Sequence, residues 1–255
     1  MKQRILRISA FAGRCLLELV RDPLSYVFMI GFPLAMLFVM TVLNDSIPPQ
    51  AGMTVFRIDR LAPAVFVFGM SFLMLFTAIL VSKDRTEAFL VRLYISPMRR
   101  LDFLAGYAVP VVLLGIAQGI LTMLCALGIA AVKGITLRFA GIFLTILVSL
   151  PAILLFIGFG LLFGTLLNDK SAPPLSSVII SLASFFGGMW MDIDQMSGVI
   201  LTLGKALPFL HAVRAGRMAL AMETDGILLP LAIVSAWTLG VWVLAVLAFR
   251  KQRKK

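Results

Sequence analysis

One charged stretch, residues 83–102, interrupts the long apolar blocks of this chain and holds the side chains best suited to binding a partner. Its basic residues are Lys83, Arg85, Arg92, Arg99 and Arg100, and its acidic ones are Asp84, Glu87 and Asp102. Phe89, Leu90, Leu93 and Tyr94 recur between these charges at the spacing of one helix face. The pattern favours a short amphipathic docking helix; a solvated loop that only sets membrane orientation is the alternative.

Ser96-Pro97 follows this predicted helix and is expected to end it. The residue before a proline is disfavoured in the α region, so the helix should stop there. Proline also suits the first turn of a following helix, for which Ser96 would be the cap. A second helix is therefore predicted to begin directly after Ser96.

The residues needed for catalysis or cofactor binding are missing from the sequence. There is no G-x-x-x-x-G-K-[ST] phosphate loop, so we expect no nucleotide hydrolysis by this chain. The single histidine, His211, cannot build a catalytic triad or a metal cluster. Cys15 and Cys125 have neither metal-ligand spacing nor a disulfide pattern. We predict no catalytic residue, no cofactor and no metal in this chain.

Gly158, Gly160 and Gly164 look superficially like a dinucleotide-binding loop. They lie inside an apolar run, without the strand–turn–helix context that such a loop requires. Small residues at this spacing let helix backbones approach closely in a membrane protein. Close helix–helix packing is therefore the favoured interpretation.

The composition places the chain in a membrane. Hydrophobic residues make up 61% of it, and the mean hydropathy is +1.04, which is too apolar for a soluble domain. Runs long enough to cross about 30 Å of hydrocarbon recur along the sequence. We predict an all-α polytopic protein with six spans, at roughly 24–43, 61–82, 103–132, 139–167, 173–190 and 228–249.

The net charge of +11 is distributed unevenly across the predicted spans. Most basic residues fall on the side that holds both termini and residues 83–102. The other side keeps Arg57, Arg60, Lys133, Arg138, Lys205, Arg214 and Arg217. The positive-inside rule therefore predicts that both termini are cytoplasmic. The basic tail is interpreted as a signal for topology and lipid headgroups rather than for nucleic acid.

The first 23 residues form a segment of their own, ahead of the block 24–255 that holds the predicted spans. Charged residues at 4, 7, 14, 18 and 21 share one helical stripe, interrupted by Phe11, and Ile5, Ile8, Ala12, Leu16 and Leu19 share the opposite one. Such a helix lies in the headgroup plane with its apolar stripe in the acyl boundary. We predict an interfacial helix that ends at Arg21-Asp22-Pro23; an ordinary anchor and a mechanical role are both open.

Two features of the spans point to helix movement or assembly. Prolines such as Pro33 bend spanning helices, which would suit a moving bundle. In the fifth block, Ser177, Ser181, Ser184 and Gly188 share one small, weakly polar face. That face could be the wall of a translocation path, a seam between subunits, or packing inside a single bundle.

The segment 191–227 is neither a clear span nor an ordinary loop. Pro208 divides it into a short apolar piece and a longer one that carries Arg214 and Arg217 on one side. We predict two short helices that dip into the outer leaflet. His211, in the second piece, is interpreted as a structural hydrogen-bonding residue rather than a ligand.

The middles of the predicted spans hold no Asp, Glu, Lys or Arg. Ion-coupled carriers retain such groups for function despite the unfavourable burial of charge. Their absence argues against a carrier of that kind. Six spans without an energy source of their own, with a docking element between two of them, indicate a partner that supplies the energy.

Three stretches resemble the ABC-2 family of ATP-driven export permeases, which includes drug-efflux and polysaccharide-export systems. They are the N-terminal helix with Arg21-Asp22-Pro23; Glu87, Arg92, Ser96-Pro97, Arg99 and Arg100; and residues 185–188 leading through Pro208-Phe209 to Arg214 and Arg217. The resemblance covers essentially the whole chain. It departs at residues 83–88, where the family often has a denser charged run and a glycine.

The resemblance implies a half-transporter that pairs with a second permease, identical or not, and docks ATPase subunits. Its coupling helix would fall on about 84–95. The docking residues would be Arg85, Glu87, Phe89, Arg92, Leu93, Tyr94, Ser96, Pro97, Arg99 and Arg100. The translocation path or dimer seam would include Pro33, Ser177, Ser181, Ser184 and Gly188. An outer re-entrant segment at about 191–222 would include Pro208, His211, Arg214 and Arg217.

The resemblance also implies that ATP and magnesium are bound by the partner ATPase, and that the chain lies in the bacterial cytoplasmic (inner) membrane among lipids. The sequence has 20 Phe and 14 Met against three Trp and three Tyr, a composition typical of an adaptable apolar lining. We therefore expect a hydrophobic, drug-like or lipid-like cargo. Polysaccharide or glycolipid export, or a membrane scaffold that transports nothing, are the alternatives.

Overall fold

A computed structural model describes residues 2–48, 54–87 and 100–252 of the chain. The secondary structure of these residues is helical, and no strand occurs among them. The helices are α1 (Lys2–Arg21), α2 (Pro23–Ser46), α3 (Ile58–Thr86), α4 (Arg100–Val132), α5 (Phe139–Leu166), α6 (Ala172–Phe186), α7 (Val199–Ala206), α8 (Pro208–Ala221) and α9 (Leu228–Gln252). The predicted docking helix falls largely on residues 88–99, outside the described part.

Five helices are long and apolar enough to cross a membrane, namely α2, α3, α4, α5 and α9. The bent pair α7–α8 would make a sixth if it forms one broken span. The prediction of an all-α polytopic membrane protein is confirmed. The end of the bundle that carries the last turn of α3 and the first turn of α4 is called the loop end below.

The fifth predicted span, 173–190, is shorter in the structure than expected. Helix α6 has 15 residues, about 22 Å at 1.5 Å per residue, against a hydrocarbon core of about 30 Å. It ends at Phe186 because Gly187 and Gly188 follow, and Gly188 has a φ of +70°. That conformation suits glycine and turns the chain out of the helix.

Helix α3 is the centre of the bundle. In its most apolar window 89% of the residues are buried inside the molecule, against 28% for α2, 33% for α4 and 22% for α9. Helix α5 packs closely on α3 because its glycines remove side chains from the contact. A Cβ on Gly160 would lie 2.7 Å from the Met74 carbonyl oxygen, and one on Gly164 would lie 2.7 Å from that of Ala78. The packing interpretation of these glycines is confirmed.

Prolines shape two of the spanning helices. In α2 a π-helical turn, Val27–Gly31, precedes Pro33. Proline has no N–H to donate to the preceding turn, and a wider turn at that point accommodates the missing bond. In α5 the helix is interrupted at Ser149, two residues before Pro151. The sequence prediction of bends at prolines therefore corresponds to local breaks in these helices.

The two short helices predicted within 191–227 are present as α7 and α8. They meet at an angle of 76°. Leu207, between them, is extended, with φ −87° and ψ 148°, as expected for a residue that precedes a proline. Pro208 then occupies the first turn of α8, where it needs no N–H partner.

Candidate functional site

The last turns of α3 carry an aspartate on the face that packs inside the bundle. Leu80, Val81 and Asp84 lie on this face, and Asp84 is only 1% exposed. Burying a carboxylate is unfavourable unless charged or hydrogen-bonding partners surround it. Arg14 of α1 is such a partner, because its Nη1 and Nη2 donate to Asp84 Oδ2 and Oδ1, each at 2.6 Å. This two-point ion pair joins α1 to the end of α3.

Tyr107 of α4 is the third member of this group. Its hydroxyl donates to Asp84 Oδ2 at 2.7 Å, and its side chain is fully buried. On the more exposed side, Arg14 also pairs with Glu18 at 2.8 Å. The hydrogen bonds to Asp84 hold the pKa of Arg14 above its ordinary value. We call Arg14, Asp84 and Tyr107 the Asp84 cluster; it joins α1, α3 and α4.

A second ion pair joins the start of α1 to the start of α4. Arg4 Nε donates to Asp102 Oδ1 at 2.7 Å, and Asp102 is 3% exposed. Asp102 lies in the first turn of α4, where the helix dipole favours a negative charge. The hydrogen bond to Asp102 also raises the pKa of Arg4. Helix α1 is therefore bound to both helices that flank residues 88–99.

Apolar contacts also hold α1 against α4 beside these two ion pairs. Phe11 packs edge to face on Tyr107, with ring centroids 4.9 Å apart, and on Phe103 at 6.1 Å. Gly106 leaves room for the Phe11 ring, because a Cβ there would lie 2.2 Å from Phe11 Cδ1. Cys15 is fully buried beside them, and burial raises the pKa of its thiol to about 12. The sequence interpretation placed Phe11 on the water-facing stripe of α1; the structure buries it against α4.

Most of the predicted docking residues lie outside the described part: Phe89, Arg92, Leu93, Tyr94, Ser96, Pro97 and Arg99. Arg100 begins α4. Glu87 is exposed directly after α3. Arg85 is half-buried and donates to the carbonyl oxygens of Thr165 and Leu167, the second at 2.6 Å. Its guanidinium therefore caps the end of α5 at the loop end.

The residues of the predicted path or seam are only partly brought together. Ser177 and Ser181 are exposed on α6, and Ser184 is half-buried. Each of these hydroxyls donates to a carbonyl oxygen of its own helix at 3.0 Å. Pro33 is buried in α2. The hydroxyls of this serine face are thus all hydrogen-bonded within α6, and the other described residues leave Ser177 and Ser181 uncovered.

The predicted outer residues lie at the end of the bundle opposite the loop end. Arg217 donates through Nη2 to the carbonyl oxygen of Gly188 at 2.9 Å, which ties α8 to the end of α6. His211 is buried, and its Nε2 is 2.9 Å from the Lys205 carbonyl oxygen. Pro208 is buried in the first turn of α8. Arg214 and Arg217 line a cavity, which is described below.

Sequence reasoning missed the Asp84 cluster and the Arg4–Asp102 pair. It assigned Asp84 and Asp102 to the charged loop, and Arg4 and Arg14 to a stripe facing the headgroups. One signal was available: Asp84 follows Leu80 and Val81 on the same helix face, so an acid there needs a buried partner. The identity of that partner depends on tertiary packing.

The Asp84 cluster and the Arg4–Asp102 pair together form a structural connection, called the joint below, rather than a reaction centre. Two buried carboxylates, each paired with an arginine of α1, hold three helices at the base of one loop. A joint of this kind makes its helices move together, because separating them would leave a buried charge without its partner.

Comparison with known proteins assigns the chain to a family. A family model for ABC-2 type transporters, ABC2_membrane, matches residues 7–221. The match begins within α1 and runs to the end of α8, so it includes the Asp84 cluster, Asp102 and the bent helix pair, while Arg4 lies ahead of it. No curated protein matches the chain in a direct sequence comparison. The chain belongs to the ABC-2 type transporter family, as a membrane-spanning permease component that is not itself catalytic.

Proposed function

We propose that the chain is the permease half of an ATP-driven exporter that moves a hydrophobic small molecule out across the bacterial cytoplasmic membrane. The observation that carries this proposal is the joint at the loop end. The Asp84 cluster and the Arg4–Asp102 pair bind α1 to both helices that lead into the docking segment. A permease that is driven by a separate ATPase subunit needs a rigid connection of this kind at the place where the ATPase binds.

The proposed partner is an ABC ATPase subunit below the membrane, with ATP and magnesium bound to it. The family normally pairs with such a subunit. Phe89, Leu93 and Tyr94 would enter a groove of the ATPase, and Arg92, Arg99 and Arg100 would set its orientation through acidic groups. Closure of the ATPase dimer would then move the segment 84–95, and the joint would carry α1, α3 and α4 with it as one rigid unit.

We propose that two permeases form the path between them, with both termini of each on the cytoplasmic side. The second permease could be an identical copy or a related chain. Several spanning helices have faces that the described residues do not cover; we place the path on two of them, α2, where Phe38 is 64% exposed, and α6, where Val178 is 52% exposed. A face of this size on a membrane helix is available to a neighbouring protomer as well as to lipid.

Four phenylalanines on α2 and α3 support a hydrophobic cargo. Phe28, Phe32, Phe68 and Phe72 form a connected aromatic group with ring centroids 5.2–6.0 Å apart. Phe28 and Phe32 are more than a third exposed, and Phe28 lies in the π-helical turn of α2. Such turns occur frequently at functional sites. An apolar aromatic surface of this kind would bind drug-like or lipid-like molecules better than a polysaccharide.

Affinity purification from native membrane in detergent tests the proposal. The tagged chain should recover an ATPase, and Leu93→Asp should abolish that recovery while the variant stays in the membrane. Val132→Asp is the matched control: it makes the same apolar-to-acidic change at the opposite end of α4, where Val132 is 89% exposed. It should keep the ATPase. Recovery of an ATPase by Leu93→Asp at the wild-type level would refute the docking role.

Transport is tested separately from docking. The purified complex in proteoliposomes should hydrolyse ATP faster when a hydrophobic cargo is added, and Leu93→Asp should remove that stimulation. Glycan-linked lipids should give little stimulation. A membrane scaffold would recover the ATPase but show no stimulation by any cargo, so this outcome would overturn the transport function and leave only the docking.

A further inference from the structure

The end of the bundle opposite the loop end carries a cavity that the proposed transport mechanism does not use. Its volume is 810 Å³, within the range of about 300–1,000 Å³ that is usual for ligand sites. The first turn of α3, the connection between α4 and α5, Asp192 and the second half of α8 line it. These elements are far apart in sequence, so the cavity exists only in the folded bundle.

Arginine dominates the lining of this cavity. Its basic residues are Arg57, Arg60, Arg138, Arg214 and Arg217, and its acidic residues are Asp59, Asp192 and Glu223. The lining groups thus carry more positive than negative charge. Guanidinium groups present several N–H donors in one plane, which matches the oxygens of phosphate and carboxylate. A cavity with this lining favours an anion.

Two of the five arginine side chains, those of Arg60 and Arg217, are held in place by hydrogen bonds to the protein. Arg217 donates through Nε to the carbonyl oxygen of Arg60 at 3.0 Å and through Nη2 to that of Gly188 at 2.9 Å. Arg60 in turn donates through Nη1 to Asp192 at 3.2 Å and to Thr54 at 3.0 Å. This network positions the charges before any ligand binds, which lowers the entropic cost of binding.

Two helices also begin at this cavity. Arg57 is the N-cap of α3 and Arg138 is the N-cap of α5, and neither helix start has a side-chain cap hydrogen bond. The first N–H groups of a helix lack intrahelical acceptors, and the helix dipole adds partial positive charge there. Both effects add to the field of the arginines and favour the same kind of ligand.

The position of this charge is itself informative under the orientation proposed above. Membrane proteins concentrate Lys and Arg on the cytoplasmic side, yet five arginines of this chain meet in one cavity at the other end. Arginines that served only to anchor helix ends would be spread around the rim of the bundle. Their convergence on one open cavity favours an anion-binding role.

We propose that this arginine cavity is a binding site for a phosphate group, either the headgroup of an anionic lipid in the outer leaflet or a free phosphate anion. Arg57 and Arg138 are both exposed at the two helix starts and would contact the phosphate directly. Arg57 also pairs with Asp59 at 3.2 Å, so the phosphate would share this guanidinium with that carboxylate. Arg60 and Arg217, which the hydrogen-bond network holds in place, line the same cavity. The site is separate from the joint between α1, α3 and α4 and from the aromatic group on α2 and α3.

The full chain, purified in uncharged detergent, is the material for the test. Titration calorimetry at constant ionic strength measures binding of inorganic phosphate and, separately, of short-chain phosphatidylglycerol; short-chain phosphatidylcholine is the zwitterionic reference. The double variant Arg57→Gln with Arg138→Gln should weaken binding at least about tenfold. Arg138→Lys should keep part of it. No ATPase or cargo is present, so the result does not depend on the proposed export function.

Lys205→Gln is the matched control, because it removes one positive charge from the same end of the molecule at an exposed residue outside the cavity. It should change the affinity by less than about twofold. Binding of phosphatidylglycerol alone would assign the site to a lipid headgroup. Binding of inorganic phosphate alone, or of both, would show that the free anion suffices. No binding by the wild type, or equal binding by the double variant, would overturn the proposal.

Discussion

Asp84 concentrates more hydrogen bonding than its position at the edge of a charged loop suggests. Its carboxylate receives two bonds from Arg14 and one from Tyr107 while only 1% exposed. Asp84→Asn would leave Arg14 without its buried anion, and we expect a loss of about 2 kcal/mol in the free energy of unfolding. Tyr107→Phe keeps the ring packing and should lose about 1 kcal/mol. Unfolding of the detergent-solubilised protein by SDS measures both.

Asp59→Asn is the control for this substitution. Asp59 pairs with Arg57 at 3.2 Å in an exposed pair, and exposed pairs contribute only about 0–1 kcal/mol. Exchanging the charges, Arg14→Asp with Asp84→Arg, should recover part of the stability that either single change removes. A loss at Asp84→Asn no larger than that at Asp59→Asn would contradict the role assigned to the Asp84 cluster.

Cys15 reports on the same joint through its reactivity. Burial raises the pKa of its thiol to about 12, and only the thiolate reacts with maleimide. In a Cys125→Ser background, labelling of Cys15 should be slow at pH 7. The labelling rate should rise about tenfold for each pH unit up to at least pH 10, because the pH stays below the pKa of the thiol over this whole range. An ordinary thiol would level off near pH 8.5–9.

Asp84→Asn should increase the labelling rate of Cys15 at pH 7, because it removes a nearby negative charge and loosens α1. Asp59→Asn, at the other end of α3, should leave the rate unchanged. Fast labelling of Cys15 while Asp84 is intact, or a labelling rate that levels off near pH 9, would mean that α1 is not docked as described.

At the scale of elements, the docking of α1 depends on a missing side chain in α4. Gly106→Ala places a Cβ 2.2 Å from the Phe11 ring, and that ring is confined by Phe103 and Tyr107. We expect a loss of about 1–3 kcal/mol in the free energy of unfolding, together with faster labelling of Cys15. SDS unfolding and maleimide kinetics measure the two effects.

Gly128 provides the comparison within the same helix. Apart from the neighbouring backbone of α4, no described atom lies within 4 Å of a Cβ at that position, so Gly128→Ala should be neutral or slightly stabilising, by up to about 1 kcal/mol. Adding Phe11→Ala to Gly106→Ala should relieve the collision and recover α1 docking in part. Equal effects of the two glycine substitutions would show that helix propensity, rather than the contact with Phe11, determines the result.

The elements themselves could be predicted from apolar length and from prolines and glycines. Residue runs such as 61–82 and 139–167 exceed the membrane thickness, so their helices needed no tertiary information. Pro208 was sufficient to divide α7 from α8. The end of α6 was misjudged because hydropathy continues past Phe186, whereas the backbone turns at Gly188 with a φ of +70°. Hydropathy alone does not predict where the backbone makes such a turn.

The joint could not be predicted in the same way. An arginine stripe on an amphipathic helix looks the same whether it faces headgroups or buried carboxylates, since the stripe alone does not specify its partners. Arg14 meets Asp84 across 70 residues, and Arg4 meets Asp102 across 98. The packing of Phe11 on α4, together with the burial of Cys15 and Leu19, sets the rotation of α1 that brings these pairs together. Pairing at this distance requires the folded structure.

At the scale of the whole molecule, the uncovered serine face of α6 predicts how copies assemble. Ser177 and Ser181 are exposed, and their hydroxyls are satisfied within the helix, so this face can approach another helix closely without leaving buried donors unpaired. In a Cys125→Ser background, Ser181→Cys should form a crosslinked dimer in native membranes when treated with a short bismaleimide. Gel mobility and mass spectrometry identify the product.

Leu239→Cys is the matched control, because Leu239 lies on a different spanning helix, α9, and is also exposed, at 69%. It should give no dimer above background. A product of Ser181→Cys with twice the mass of the chain would indicate pairing of identical copies, and one of different mass would indicate a related second permease. Dimers from Leu239→Cys but not from Ser181→Cys would place the seam on α9 and refute the path proposed along α6.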